Sequence, residues 1–257
     1  MSSLTRAQQK PPLGLQLIQG HPINRGLVGR WLFNERTGKY VYDLSNNNHT
    51  GTFSGNIGFN PDGIDINLNG RISFGNIAAL KPPVITIFAI IYLEAAPVSW
   101  GHIYGSDYLE GAWFSISSAR RLSFYCNGST WNPTTTQLSI GTWYQIAACY
   151  DGSTRSLYIN GVNQGSNTAV SGDLNWTGAF DIRTGENDAT ERDIDCIIKT
   201  MCVYKRALTP NEIQQLYVNP YLGVDTGEMP IELIAGAMGG EEPPDPTGGQ
   251  IIRMNIF

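Results

Sequence analysis

The residues with the clearest spacing for chemistry are the alternating acids Glu191-x-Asp193-x-Asp195. On a β-strand, residues two apart share a face, so such acids approach the carboxyl separation that retaining glycoside hydrolysis needs. The last acid is Asp, with a shorter reach than Glu, and no aromatic pattern surrounds the stretch. With Asn187 and Asp188 the same acids could ring a calcium ion, but a run of charges is expected to be a solvated loop. Nucleophilic chemistry has even less to work with. The three histidines are His21 in a polar arm, His49 in an Asn-rich turn, and His102, and there is no G-x-S-x-G elbow. No phosphate-cradling or dinucleotide motif occurs. No catalytic residues, resident metal or cofactor are therefore expected, and the chain is read as a non-enzyme. Binding is the chemistry left open. Trp100, Tyr104, Tyr108, Trp131 and Trp176 fall in or beside turn-rich segments, where rings could stack on sugar faces. Asn127, Asn132 and Asp107 could add polar contacts; the alternative is that the rings pack a rim or an oligomer interface.

The elements that would position these residues are β-strands. Charged residues make up only 15%, while 29 Gly and 14 Pro in 257 residues imply many turns around an apolar framework. A net charge of −5 with no basic cluster denser than Arg120-Arg121 excludes an electrostatic case for nucleic acid. No apolar run is long enough for a membrane helix. The first residues lack the apolar core of a secretory signal, so the chain is expected to be made and used in the cytosol, or to leave it by lysis. Cys126, Cys149, Cys196 and Cys202 have no metal spacing and are expected to be buried free thiols.

Along the chain, residues 1 to 21 read as a polar arm that buries little by itself. Strands are predicted over Gly26–Phe33, Gly51–Phe59, Ile64–Phe74, Val84–Leu93, Trp113–Ser117, Leu122–Cys126, Trp143–Tyr150, Arg155–Asn160, Ala179–Arg183 and Cys196–Tyr204. Asn160-Gly161 is a hairpin signal because both turn positions favour positive φ. Thr209, Pro210 and Glu212 form a capping box that opens one short helix, with Ile213, Leu216 and Tyr217 on its apolar face. The body therefore spans 22 to 221. Beyond it, 222 to 257 read as an acidic Gly/Pro linker and an apolar tip, Ile251, Ile252, Met254, Ile256 and Phe257, able to add a strand to a partner.

Four segments occur in a telling order: Trp31-Leu32-Phe33-Asn34-Glu35 with Gly38, Asp43 with Ser45, Leu157-Tyr158-Ile159-Asn160-Gly161, and Arg206-Ala207-Leu208 with Glu212-Ile213. Together they resemble the laminin-G-like, concanavalin-A-like jelly-roll family over about residues 26 to 218. The resemblance implies an all-β antiparallel sandwich with one short C-terminal helix and extended arms. It also implies roles for the motif residues: Trp31 and Phe33 on one strand face in the core, Asp43 and Ser45 fixing a turn, Leu208 and Ile213 seating the helix. Related jelly rolls that hydrolyse glycosides carry E-x-D-x-(x)-E on one strand, which Glu191-x-Asp193-x-Asp195 matches only nearly. Family members often bear acids ahead of the core of the last strand, where this chain has Lys199 and Thr200; that removes a potential calcium ligand and leaves Glu35 and Asp43 without a dense cluster.

The lead-in Gly20-His21-Pro22-Ile23-Asn24-Arg25-Gly26-Leu27-Val28 and the helix ending at Tyr221 are similar to versions encoded by tailed bacteriophages. This similarity implies a virion structural protein, a capsid decoration or other virion-surface component assembled in the host cytoplasm. It would be a homo-oligomer anchored through its arms to major capsid or other virion proteins, with host or mucus glycans as further partners. The alternatives are a stand-alone carbohydrate-binding lectin module and, less favoured, a glycoside hydrolase.

Overall fold

The computed structural model describes residues 10–11, 14–106, 111–131, 136–178, 181–185 and 193–226. Two sheets face each other. One has the order β11 (Leu122–Cys126), β10 (Ala112–Ser117), β9 (Trp100–Gly105), β15 (Ile182–Gly185), β7 (Arg71–Gly75), β4 (Gly51–Ser54), β3 (Tyr40–Val41). The other has the order β14 (Val162–Asn167), β13 (Arg155–Ile159), β12 (Trp143–Tyr150), β8 (Ile85–Leu93), β16 (Cys196–Tyr204), β6 (Gly63–Ile66), β5 (Ile57–Asn60), with β2 (Leu27–Trp31) also pairing with β16. All pairings are antiparallel, which is the expected all-β sandwich.

Alternation along each strand explains the core. Ile85, Ile87, Ala89, Ile91 and Leu93 of β8 point inward and meet Phe114 and Ile116 of β10 and Leu122 and Phe124 of β11 in one cluster. The opposite face of the eight-stranded sheet would be left apolar by Phe88, Ile90, Ala147 and Cys202. It is covered by α1 (Pro210–Val218) through Ile213 and Leu216, with Leu208 beside them. The helix starts where its capping box predicts: Thr209 Oγ1 accepts from the Glu212 N–H at 3.3 Å, and Glu212 Oε2 accepts from the Thr209 N–H at 2.9 Å. Arg206 adds a two-pronged ion pair, and its hydrogen bonds hold the Glu212 carboxyl down to about 2.

Several predicted boundaries move for identifiable reasons. The predicted strand Gly51–Phe59 breaks at Gly55 (φ 71), and Ile64–Phe74 breaks at Asn69 (φ 64), so each becomes two strands in opposite sheets. The two turns touch there: a Cβ on Gly55 would lie 1.8 Å from the Asn69 carbonyl oxygen, so only glycine fits. Phe33 is buried with Trp31 as expected, yet it lies beyond the end of β2 with φ at 50 rather than on the same strand. Asp43 does fix its turn: its two oxygens accept from the N–H groups of Arg30, Ser45 and His49 and from the Ser45 hydroxyl, at 2.7–3.0 Å. Asn160 and Gly161 both adopt positive φ between β13 and β14, as the hairpin signal requires.

The ends of the body are also drawn in. β1 (Gln16–Leu17), within the predicted arm, pairs with β17 (Val224–Asp225), past the predicted end of the domain. Buried Arg30 holds the departing chain by donating to the carbonyls of Pro220 and Leu222, both at 2.9 Å. Asn24 donates to the Gly223 carbonyl at 2.8 Å. The chain therefore enters and leaves the sandwich at one clasp. This unit ends at Asp225, and the apolar tip Ile251, Ile252, Met254, Ile256 and Phe257 lies outside the described residues. The four cysteines are free and buried as expected; burial pushes the Cys149 thiol up to about 11 and Cys126 to about 12.

Candidate functional site

Strands β9, β10 and β11 place a band of polar and aromatic side chains on the face of the seven-stranded sheet turned away from the core. Inward positions are taken by Phe114, Ile116, Leu122 and Phe124, so His102, Trp113, Ser115, Ser123 and Tyr125 point the other way. Register aligns them in rows. His102, Ser115 and Ser123 lie opposite one another across the three strands, and Trp113 pairs with Tyr125 in the next row. The Trp113 ring meets Trp100 edge-on at 5.7 Å and His102 at 5.5 Å. All of these except Trp100, which is half-buried, are closed off from solvent. His102, Trp113 and Tyr125 are each engaged by further contacts. The hydroxyls of Ser115 and Ser123 are different: they are buried with no hydrogen-bond partner among the described residues. Leaving such a group unpaired costs about 1–3 kcal/mol, so two side by side is an expensive arrangement for a sheet that only packs.

Among the described residues, Trp100 is the one aromatic proposed from sequence that lies at this band. Tyr104 is a correction. The segment Trp-Gly-His-Ile-Tyr-Gly reads as a turn because of its glycines, but it pairs as β9, and a register shift beside Phe114 turns Tyr104 into the core. Its hydroxyl is bonded to the Leu80 carbonyl and its ring is fully buried, so it offers no sugar platform. Trp131 is half-buried under Arg155, 5.6 Å from the ring, and Trp176 donates to the Pro82 carbonyl at 2.9 Å while packing on the core. Asn127 is spent on structure, bridging to Asp173 and Asn175. Tyr108, Asn132 and Asp107 lie outside the described residues. The serine band had no signature in sequence, because isolated serines in a strand carry none; only cross-strand register gathers them.

Of the acidic stretch, Asp193 and Asp195 are among the described residues. Glu191, Asn187 and Asp188 lie outside the described residues, but Asp195 leaves the run and joins Asp65 and Glu94. Their carboxylate oxygens lie within 4.8 Å of one another on the outer face of the eight-stranded sheet. Burial, then the neighbouring Asp65, raises Glu94 to about 7, and the same causes raise Asp195. Glu94 and Asp65 share a hydrogen bond, so a proton held between them relieves the repulsion near neutral pH. At the position of Lys199 the last strand offers no calcium ligand. A bulge between Ile198 and Thr200 turns out the buried Lys199, whose ammonium pairs with Asp62 at 3.0 Å and lies 4.3 Å from the Trp143 ring. Asp43 is saturated by its four donors, and Glu35 is tied to the Tyr42 N–H at 3.0 Å.

Comparisons with known proteins agree with the fold. No curated protein matches the chain in sequence. Domain 4 of AbnA, a GH43 extracellular arabinanase from Geobacillus stearothermophilus solved with arabinotriose, is 18% identical with a TM-score of 0.60, over 74% of this chain and 98% of that one. Trypanosoma rangeli sialidase in complex with sialic acid is 17% identical with a TM-score of 0.60, over 83% of this chain and only 36% of the sialidase. The binding domain of Paraclostridial Mosquitocidal Protein 1 is 16% identical with a TM-score of 0.59, over 76% of this chain and 52% of that one. At such identities the likeness is one of fold. The family model of the concanavalin A-like lectin/glucanases superfamily, a laminin-G type, matches residues 65–214. That stretch is more than half of the chain and runs from β6 into α1, so this protein belongs to the concanavalin A-like lectin/glucanases superfamily.

Proposed function

We propose that this chain is a non-catalytic module that binds glycans on the outer face of its seven-stranded sheet. The observation that carries the reading is the half-buried Trp100 ring, set edge-on against Trp113 at the margin of that face, with the hydroxyls of Ser115 and Ser123 enclosed behind it. Sugar C–H faces stack on indoles, so a glycan is the ligand class that such a ring suits. Domain 4 of the arabinanase, solved with arabinotriose, is a fold neighbour compatible with that ligand class.

The test is Trp100→Ala, examined by denaturant unfolding and by binding to an oligosaccharide array. It should weaken glycan binding by about tenfold or more while the variant stays folded, with the bound sugar recovered uncleaved. A wild-type protein that binds nothing on the array, or a variant that binds as tightly as wild type, would sink the glycan reading. A cleaved sugar would sink the non-catalytic one.

The setting we propose for this module is the surface of a tailed-bacteriophage virion. Its support is the phage-like lead-in together with the pairing of β1 with β17, which brings Gln16–Leu17 beside Val224–Asp225. A module tethered through its terminal segments would present its sheets outward, and many copies on one particle would convert weak glycan contacts into avidity. Deletion of residues 239 to 257 should lower incorporation into particles; normal incorporation with unaltered particle stability would count against anchoring by that tail.

A further inference from the structure

The sequence gives no reason to expect the residues ahead of β1 to dock, yet Lys10 and Pro11 do. Pro11 is buried, and its carbonyl accepts from the Asn34 side-chain amide at 3.3 Å. The Lys10 ammonium donates to the Phe33 carbonyl and, at 3.3 Å, to the Asp62 carbonyl. Its acceptor on the first side is held out by unusual backbone, since Phe33 is a bulky residue at φ 50. The charged groups facing Lys10 are Glu35 and Arg36 from the segment after β2, Asp62 from the turn between β5 and β6, and Lys199 from the bulge in β16. Asp62 is already paired with Lys199 at 3.0 Å. Glu35 is only 7% exposed, keeps one oxygen on the Tyr42 N–H and has its Oε2 without a partner among the described residues. Three cations thus share two carboxylates, with Glu35 and Lys199 buried and Arg36 and Asp62 on the exposed side.

We propose that Lys10 is a proton-linked latch, which fastens the N-terminal segment across the Phe33–Glu35 turn more tightly as the solution becomes more alkaline. A neutral amine still donates N–H to the Phe33 carbonyl, while it no longer carries a charge into a space shared with Lys199 and Arg36. On unfastening, the amine takes its proton from water and returns as a solvated ammonium. The direction of the effect follows from linkage. Burial, opposed by Glu35 and assisted by Lys199 and Arg36, lowers the docked Lys10 to about 7, whereas a free lysine titrates near about 10.4. Between these values the docked form holds fewer protons, so docking gains with rising pH. That gain is complete above the free value and is lost as pH falls through about 7.

The experiment uses the full chain. The NMR shift of the Lys10 Cε is followed against pH, together with amide exchange of residues 14 to 18 corrected for its intrinsic pH dependence. Expected are a Lys10 titration near 7 and corrected protection that rises severalfold per pH unit above it, with about tenfold per unit as the ceiling. Lys10→Met should flatten that dependence, and Lys10→Arg, which stays charged, should leave the segment loosely held throughout. Titration of Lys10 near its ordinary value, or a Lys10→Met protein that keeps the wild-type pH dependence, would overturn the latch.

Discussion

Replacing Trp31 by alanine is expected to cost about 3–5 kcal/mol of stability, the largest single effect in the chain. The ring is fully buried and lies 4.3 Å from Phe74 across the two sheets. Its Nε1 donates to the His49 carbonyl at 2.8 Å, so truncation both opens a cavity and strips a buried acceptor. The neighbouring backbone is shaped to the indole: a Cβ on Gly29 would lie 2.3 Å from it. Trp31→Phe should fall between, because it refills most of the cavity but leaves the His49 carbonyl unpaired. Urea unfolding with an unchanged slope would measure both. A cost below about 1 kcal/mol for Trp31→Ala would mean that the ring does not join the sheets.

Arg155→Met is expected to cost about 3 kcal/mol for a different reason. This arginine is 1% exposed, and its hydrogen bonds to the described residues include the neutral oxygens of Phe124, Ser129 and Asn167. From β13 it donates to the carbonyls of Phe124 and Ser129 at 3.2 and 2.6 Å, and to the Asn167 side chain at 2.7 Å. It therefore ties the eight-stranded sheet to β11 at the rim beside the candidate site, with Trp131 laid over it. Methionine fills the stem volume but leaves buried carbonyls unpaired. Lysine should recover part of the loss, since one ammonium lacks the fork that reaches several acceptors. Thermal unfolding measures the loss, and Trp131 emission should shift as its cationic neighbour disappears. If Arg155→Met unfolds like wild type, the rim link carries no stability.

The framework was legible in sequence because its signals are local. The β-branched run Ile85–Leu93, the Asn160-Gly161 turn and the Thr209–Glu212 box each state their conformation within a few residues, and each forms as read. The motifs that suggested the family proved structural: Trp31 packs, Asp43 ties its turn, and Leu208 and Ile213 seat the helix. Failures cluster where glycine or asparagine blurs the pattern. Gly101 and Gly105 hid β9, and with it the burial of Tyr104. Gly55 and Asn69 hid the crossings between sheets.

What the sequence determined by itself was the all-β class, the position of the helix and the burial of the thiols, because hydrophobic alternation, capping and turn chemistry act over short spans. What only the tertiary structure decided was which distant residues meet. Ser115 reaches Ser123 and His102 through strand register, Asp195 reaches Asp65 and Glu94 across three strands, and Lys10 meets both the turn holding Asp62 and a left-handed Phe33. Register and bulges place a side chain to within one residue, and a shift of one residue turns it to the opposite face. Sites made by such pairings leave no pattern along the chain, so this protein's candidate binding band and its latch became visible only in the folded sheets.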